Sequence, residues 1–175
     1  EIVDCDWSSD VCSSDLPTVW ALAALAASPH LPRPFEELAE PHRRYLARAQ
    51  RPDGLLVDAY GMPPAIATNG LVACVLPALA PAFASAHGRL LAALADLKGI
   101  KFGTAPGEPQ DNSLQAWPWY EGTFSWVEPT AWCTLALKRA APSVRPEGTA
   151  ARVSEADRKS TRLNSSHSQQ SRMPS

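Results

Sequence analysis

The chain has 175 residues, of which 45% are hydrophobic, and its formal net charge is −2. This length and apolar content suffice for one small domain with a buried core. The near balance of charges gives no field that would attract a nucleic acid, so none is expected as a partner. No apolar run reaches the roughly 18 residues of a membrane-spanning helix, and no transmembrane segment is expected.

Both ends of the chain differ from its middle. Residues 157–167 match the translation of one strand of a common sequencing-library adapter, and residues 6–16 match the translation of the opposite strand. Two peptides encoded by one oligonucleotide, one at each end, are not expected by chance. We therefore predict that residues 1–16 and 157–175 derive from adapter and that residues 17–156 hold the domain.

Helical patterns dominate residues 17–156, and no segment shows the alternation of a strand. The predicted helices span about residues 17–27, 41–50, 66–79, 85–98 and 129–141. In the fourth helix, four leucines form one stripe at helical spacing, which predicts a buried face: Leu90, Leu91, Leu94 and Leu97. The loop at residues 103–112 is polar and rich in Pro and Gly.

Three residues are predicted to mark helix ends. Ser85 is a good N-cap for the fourth helix, and Gly99 suits its C-terminal end. Pro129 is predicted at the first position of the fifth helix. Near the start of the fourth helix, His87 is expected to face solvent.

The predicted helices alternate in character. The first, third and fifth are apolar all round, whereas the second and fourth are amphipathic, as expected for a two-layer arc of helical hairpins. The tetrapeptide Pro-Thr-Val-Trp at residues 17–20 recurs as Pro-Thr-Ala-Trp at residues 129–132, and Thr68 stands at a comparable place in the third helix. This favours a repeat of about 50–60 residues over the alternative that Pro-Thr is simply a common helix start.

Residues 117–132 contain four of the six tryptophans. A segment so rich in aromatic residues must bury them or stack a ligand on them. Its candidate cavity-lining or hairpin-stapling residues are Trp117, Trp119, Tyr120, Glu121, Phe124, Trp126, Glu128 and Trp132.

Two segments resemble the squalene and terpenoid cyclase superfamily. Residues 45–56 resemble its QW repeat, which is an aromatic and an aliphatic residue, a Gln, a short turn, a Gly and a Trp. The matching residues are Tyr45, Leu46, Gln50, Asp53 and Gly54, with Leu56 where the repeat has Trp. Residues 117–131 resemble a segment of bacterial prenyltransferase/squalene-oxidase repeat proteins, in which it joins an outer helix to the next inner one.

The resemblance implies an all-α fold, an α/α toroid of inner and outer helices with a ligand cavity at its mouth or centre. Residues 17–156 supply about two and a half hairpins, so we expect an incomplete toroid whose cut ends expose apolar surface. An isoprenoid or another apolar small molecule is the expected ligand. The expected location is cytoplasmic or peripheral at a membrane.

No complete catalytic motif is visible in residues 17–156. The cyclase family uses an Asp-X-Asp-Asp cluster, but Asp53, Asp58, Asp96 and Asp111 are scattered. Protein prenyltransferases hold zinc with an Asp, a Cys and a His, and no such spacing occurs here. Cys74 and Cys133 lie in apolar segments and are predicted to be buried free thiols. Neither a metal nor a cofactor is expected.

Three functions remain open. The first is an inactive fragment of a terpenoid cyclase or prenyltransferase-like enzyme, and the second is a non-catalytic toroid that binds an apolar ligand or a protein. The third is a carbohydrate-active α/α barrel with Glu121 and Glu128 as acid and base. In the functional interpretation of residues 117–132, one of these glutamates is a buried acid with a raised pKa. We favour the structural interpretation, in which the tryptophans join neighbouring hairpins and Glu128 favours the positive helix N-terminus.

Overall fold

The described part of this computed structural model is all-α. It covers residues 15–28, 34–57, 62–76, 83–103 and 111–170, with side chains described as far as residue 159. Within these residues the chain forms six α-helices and no β-strand. The helices are α1 (Asp15–Ala27), α2 (Phe35–Ala49), α3 (Ile66–Val75), α4 (Ala84–Asp96), α5 (Val127–Arg139) and α6 (Thr149–Gln170).

The predicted helices are confirmed in number and order up to α5, with shifted ends. α2 begins at Phe35 rather than at Pro41, because helix-forming residues precede the proline and the helix tolerates the loss of one N–H donor. α3 ends at Val75, and residues 77–79 of its predicted span lie outside the described residues. α6 was not predicted, because most of it belongs to the adapter-like segment.

All three predictions about helix-end residues are wrong. α4 begins at Ala84 with Phe83 at its N-cap, so Ser85 lies inside the first turn. Its C-cap is Leu97 in an extended conformation rather than a left-handed glycine. α5 begins at Val127, which puts Pro129 at its third position; the first-turn N–H groups lack intrahelical partners, so proline fits there also.

The hydrophobic core is centred on α3. All of residues 66–73 are buried, because α3 contacts α1, α4 and α5. The predicted leucine stripe of α4 is confirmed, since all four of its leucines are buried. By contrast, α1 and α5 are apolar but not buried all round: Trp20 is 50% exposed and Leu135 is 37% exposed.

A glycine sets the separation of α3 and α5, the helix pair with the most extensive contact. A Cβ atom at Gly70 would lie 2.9 Å from the backbone nitrogen of Cys133 and 2.9 Å from the Cβ of Trp132. Only a residue without a side chain therefore allows this close approach. The Sγ of Cys133 points back across the interface to the carbonyl oxygen of Ile66, 3.8 Å away.

Gly70→Ala is expected to destabilise the fold by about 1–3 kcal/mol, because the added methyl group meets backbone that cannot move aside. Gly88→Ala is the matched control: Gly88 also lies in a helix, but its added methyl group would meet nothing within 4 Å. This control should gain about 0.5–1 kcal/mol from helix propensity. Urea unfolding of the two variants measures the difference, and equal effects would contradict the proposed role of Gly70.

His87 is buried rather than exposed, which corrects the prediction from sequence. Its Nε2–H donates to the carbonyl oxygen of Ala73 at 3.0 Å. That carbonyl belongs to the last turn of α3, where no intrahelical donor is available. Burial lowers the pKa of His87 below its usual 6.5, and the hydrogen bond to Ala73 acts in the opposite direction.

The depressed pKa of His87 predicts a loss of stability in acid. The unfolded chain binds the proton first, so the contribution of neutral His87 is complete above about pH 6.5 and declines as the pH falls towards the folded-state pKa. Replacing His87 by Gln, which keeps an N–H donor but does not titrate in this range, should flatten the decline. The free energy of urea unfolding at pH 7.5 and pH 5 measures it, and parallel declines in the two proteins would refute the assignment.

α6 crosses the predicted boundary at residue 156 without a break. Beyond that boundary, the Nζ of Lys138 lies 2.8 Å from a carboxylate oxygen of Asp157. The Nζ of Lys159 donates to the backbone oxygen of Asp111 at 2.7 Å. The helix therefore packs on the domain on both sides of the boundary, and the adapter origin of residues 157–175 stays a prediction.

Candidate functional site

The tryptophan-rich segment divides into a buried part and an exposed part. Trp117 is completely buried, and its indole N–H donates to the carbonyl oxygen of Leu94 at 2.7 Å. Trp119 and Trp132 are half-buried, whereas Tyr120 is 41% exposed. Trp117 thus ties the segment to the last turn of α4, where that carbonyl has no intrahelical partner.

Residues 117–126 form a hairpin-like loop. The N–H of Trp126 donates to the carbonyl oxygen of Trp117 at 2.9 Å, and Pro118 pairs antiparallel with Ser125. At the tip, the N–H of Thr123 donates to the carbonyl oxygen of Tyr120 at 3.2 Å. Gly122 has a φ of 75° in this turn, a conformation that glycine adopts without strain.

Arg152 holds this loop from α6. The guanidinium group donates to three backbone carbonyl oxygens, those of Leu97 at 2.8 Å, Gln115 at 2.9 Å and Ala116 at 3.1 Å. The guanidinium carbon also lies 3.9 Å from the ring centroid of Trp117. Loss of solvation lowers the pKa of Arg152, while the nearby charge of Glu155 opposes that change. The sequence carries no signal for this role, because the partners are backbone atoms from distant segments.

Four exposed apolar side chains lie together beside the loop, and we call them the aromatic strip: Ile100, Phe102, Phe124 and Trp126. Their exposed fractions are 42%, 51%, 39% and 45%. The rings of Phe102 and Phe124 have centroids 5.7 Å apart, and those of Phe124 and Trp126 are 4.9 Å apart. The N–H of Ile100 donates to the carbonyl oxygen of Thr123 at 2.9 Å, which brings the two segments of the strip together.

Neither predicted glutamate is a buried acid. Glu121 lies in the turn and Glu128 in the first turn of α5, and both are exposed. The interpretation in which one of them is a buried acid is therefore wrong. Glu128 stands where a carboxylate favours the positive end of the helix dipole.

The QW-like segment also makes its contacts with backbone atoms. The side-chain amide of Gln50 donates to the carbonyl oxygens of Gly54 and Ala86, both at 2.9 Å, and its oxygen accepts from Arg89 of α4. Gly54 has a φ of 95°, and an added Cβ would lie 2.6 Å from the carbonyl oxygen of Arg89. The turn predicted at Asp53 and Gly54 is confirmed, and it packs directly on α4.

The other QW-like residues support this turn. The carboxylate of Asp53 accepts from the N–H of Leu55 at 3.1 Å. Leu46 and Leu56 are 3% and 2% exposed, and Tyr45 is half-buried. Leu56 thus occupies a core position at the place where the repeat has Trp.

Two loops are joined to the helices that follow them by the same pattern of contacts. The side chain of Asn69 accepts from the N–H of Leu56 at 2.7 Å and donates to its carbonyl oxygen at 3.1 Å. The hydroxyl of Thr130 accepts from the N–H of Trp117 at 3.2 Å and lies 3.5 Å from its carbonyl oxygen. Each pair is 13 residues apart, and 61 residues separate 56 from 117 as they separate 69 from 130.

The sequence misplaced this register by one residue. Asn69, not Thr68, takes the place of Thr130, because the polar side chain that reaches the preceding loop belongs to Asn69. An Asn and a Thr share no sequence pattern, although both carry a donor and an acceptor. Their equivalence is therefore visible only from the hydrogen bonds.

Cys74 and Cys133 are free thiols, as predicted; Cys133 is buried, whereas Cys74 is only half-buried. Burial raises the pKa of Cys74 to about 11, and burial together with the neighbouring Cys74 raises the pKa of Cys133 well above its usual value. Both are therefore neutral at physiological pH. Among the described residues, no group of three His, Cys, Asp or Glu side chains could hold a metal ion.

Two clefts are lined by described residues other than those of the tryptophan-rich segment. One follows the polar side of α2 between Glu37 and Arg48. The other, of about 350 Å³, lies between the end of α4 and the start of α6 and includes Lys98, Glu155 and Arg152. The aromatic strip contributes to neither cleft and is an open surface.

No protein-family model, curated protein or solved structure matches the chain. Within the described ranges, no helix combines the length and the apolar character that crossing a membrane requires.

Arg152→Met is expected to cost about 3 kcal/mol of stability, because it leaves three carbonyl groups without their charged donor. Arg158→Met is the matched control, since Arg158 is an exposed residue of the same helix, and it should change stability by less than about 0.5 kcal/mol. Urea unfolding, together with the near-ultraviolet circular dichroism of the tryptophans, measures both. Equal losses would show that Arg152 does not hold the loop.

Proposed function

We propose that residues 17–156 form an arc of an α/α toroid of the squalene/terpenoid cyclase and prenyltransferase repeat type. In this arrangement α1, α3 and α5 are the inner helices, and α2, α4 and α6 are the outer ones. The contacts support it, because the inner helices follow one another through α3 and each packs on outer helices next to it in the chain.

The shared register of the two loops carries this proposal. Leu56 and Trp117 are both buried, both lie ten residues before the first residue of an inner helix (66 and 127), and both are bonded by that helix. If the two helices merely began at similar places by chance, Asn69 and Thr130 would not each contact both the N–H and the C=O of the buried loop residue. Repeated units that stack through the same contacts are what a helical-hairpin array requires.

The next outer helix completes each junction. Arg89 of α4 bonds to Gln50, and Arg152 of α6 bonds to the loop around Trp117. In each case a basic side chain of the following outer helix binds the loop of the preceding hairpin. This is the role that the resemblance implies for the segment between an outer and an inner helix.

For the function, we propose that the aromatic strip binds an apolar ligand, with an isoprenoid chain as the expected class. Trp126 lies at the N-cap of α5, so the strip stands at the end of an inner helix, where the toroid would have its mouth. Aromatic faces attract unsaturated hydrocarbon through dispersion and edge contacts. The strip offers no acid or base among its four members, which favours binding over catalysis.

A dansyl-labelled farnesyl compound tests the proposal by fluorescence polarisation. Trp126→Ala is expected to weaken binding about fivefold, equivalent to about 1 kcal/mol for one aromatic contact. Trp20→Ala is the matched control, because Trp20 has a similar exposed fraction, 50% against 45%, and lies outside the strip.

A second probe, dansylglycine, carries the fluorophore without the hydrocarbon chain. If it binds as tightly as the farnesyl compound, or if both tryptophan variants weaken binding equally, the strip is not a site for isoprenoid chains. Retained binding by Trp126→Ala together with Phe124→Ala would reject the site altogether.

A further inference from the structure

The inner helices at the two ends of the arc leave small apolar faces uncovered. On α5, Ala131 and Leu135 are exposed, and we call them the tail face. On α1, Ala21 and Ala24 are exposed, and we call them the head face. Each face consists of two exposed apolar side chains about one helical turn apart, with no charged residue between them in the sequence.

The tail face repeats a surface that is already in use inside the molecule. Under the 61-residue register, its two residues correspond to Gly70 and Cys74 of α3. Those are the residues on which α5 packs: a Cβ at Gly70 would lie 2.9 Å from the nitrogen of Cys133, and the Sγ of Cys74 donates to the carbonyl oxygen of Trp132 at 3.5 Å. The tail face is thus the α5 equivalent of the α3 surface that receives the next inner helix.

The head face repeats the other half of the same interface. The recurrence of residues 17–20 at residues 129–132 relates α1 to α5, and it places the head face on Cys133 and Ala136. These two residues are 0% and 1% exposed. Cys133 is the residue that meets Gly70 of α3. The two positions that are buried in α5 are therefore exposed in α1.

The contact between α1 and α3 checks this register independently. The same alignment relates Thr18 of α1 to Asn69 of α3. Val19 then corresponds to Gly70, the residue of α3 on which α5 packs. The two residues of the head face correspond to Val72 and Val75 of α3. Val19, Val72 and Val75 lie close together where α1 packs on α3. Val72 and Val75, which correspond to the head face, therefore pack on Val19, which corresponds to Ala131 of the tail face. This is the contact that the alignment requires.

We infer that two copies of this chain associate head to tail, with the head face of one copy on the tail face of the other. The new contact would reproduce the packing of α5 on α3, and this inference rests on the repeat arc proposed above. Because the two faces differ, the association is heterologous, so it closes into a ring or extends as a chain according to the angle between copies.

Sedimentation velocity of the full chain across its soluble concentration range tests the inference. The unmodified chain is expected to form dimers or larger species with rising concentration. Ala131→Asp on the tail face and Ala24→Asp on the head face should each give monomers, because an unpaired carboxylate would be buried in the contact. Ala92→Asp is the matched control, since Ala92 is an exposed alanine of α4 outside both faces, and it should associate like the unmodified chain.

Mixing the two blocked variants gives the decisive result. Each keeps one intact face, so an equimolar mixture of Ala131→Asp and Ala24→Asp should form a heterodimer and nothing larger. An unmodified chain that stays monomeric, a mixture that stays monomeric, or an equal effect of Ala92→Asp would overturn the inference. A face that pairs with itself would also overturn it, because one of the two variants would then still dimerise alone.

Circular dichroism of each variant confirms that loss of association is not loss of folding, and Ala131→Lys serves as a second tail-face variant. The farnesyl probe separates this inference from the proposed ligand site, since the aromatic strip lies outside both faces. Monomers that bind the probe would leave the ligand proposal standing while the association fails.

Discussion

Buried loop backbone must find hydrogen-bond partners, and this requirement organises the molecule. Two irregular connections, around Leu56 and around Trp117, lie in the core instead of on the surface. Their N–H and C=O groups cannot bond to water there, and each group left unpaired would cost about 1–3 kcal/mol. Asn69, Thr130 and Arg152 supply the missing partners. Each comes from a helix that the loop must contact, so satisfying the backbone also fixes how helices and loops are arranged.

The same requirement explains why the tryptophan-rich segment has two faces. The indole N–H of Trp117 donates to a carbonyl oxygen at the end of α4, and its ring packs against the guanidinium of Arg152. Trp117 is therefore a structural residue. The loop that it anchors then holds Phe124 and Trp126 on the outside, against Phe102. A loop that several hydrogen bonds hold in place, with exposed aromatic rings on its outer side, suits an apolar ligand. The proposed ligand site therefore depends on the buried part of the segment without being buried itself.

The arrangement of α1, α3 and α5 follows from close packing. Because Gly70 has no side chain, the backbone of α3 lies directly against Trp132 and Cys133 of α5. The contact between α3 and α5 is the most extensive helix contact in the described structure. A helix that packs so closely on both flanks, as α3 does, has no exposed face left. Helices α1 and α5 both pack on α3, but each keeps exposed apolar residues: Ala21 and Ala24 on α1, and Ala131 and Leu135 on α5. These exposed residues are the basis for the inferred head-to-tail contact.

The sequence by itself determined five of the six described helices, α1 to α5, and their order. Periodicity placed α1 to α5 and the buried stripe of α4, and the Asp-Gly turn was readable because local backbone preference decides it. The ends of the helices were not predicted correctly: Ser85, Gly99 and Pro129 each suit a helix end, but each boundary lies two residues earlier in the chain. Tertiary structure alone decided that His87 is buried, that Asn69 and Thr130 are equivalent, and that Arg152 holds a distant loop. The physical reason is the same for all of them. These side chains form hydrogen bonds with backbone atoms, and because every residue carries the same backbone groups, the sequence does not indicate which of them will be the partner.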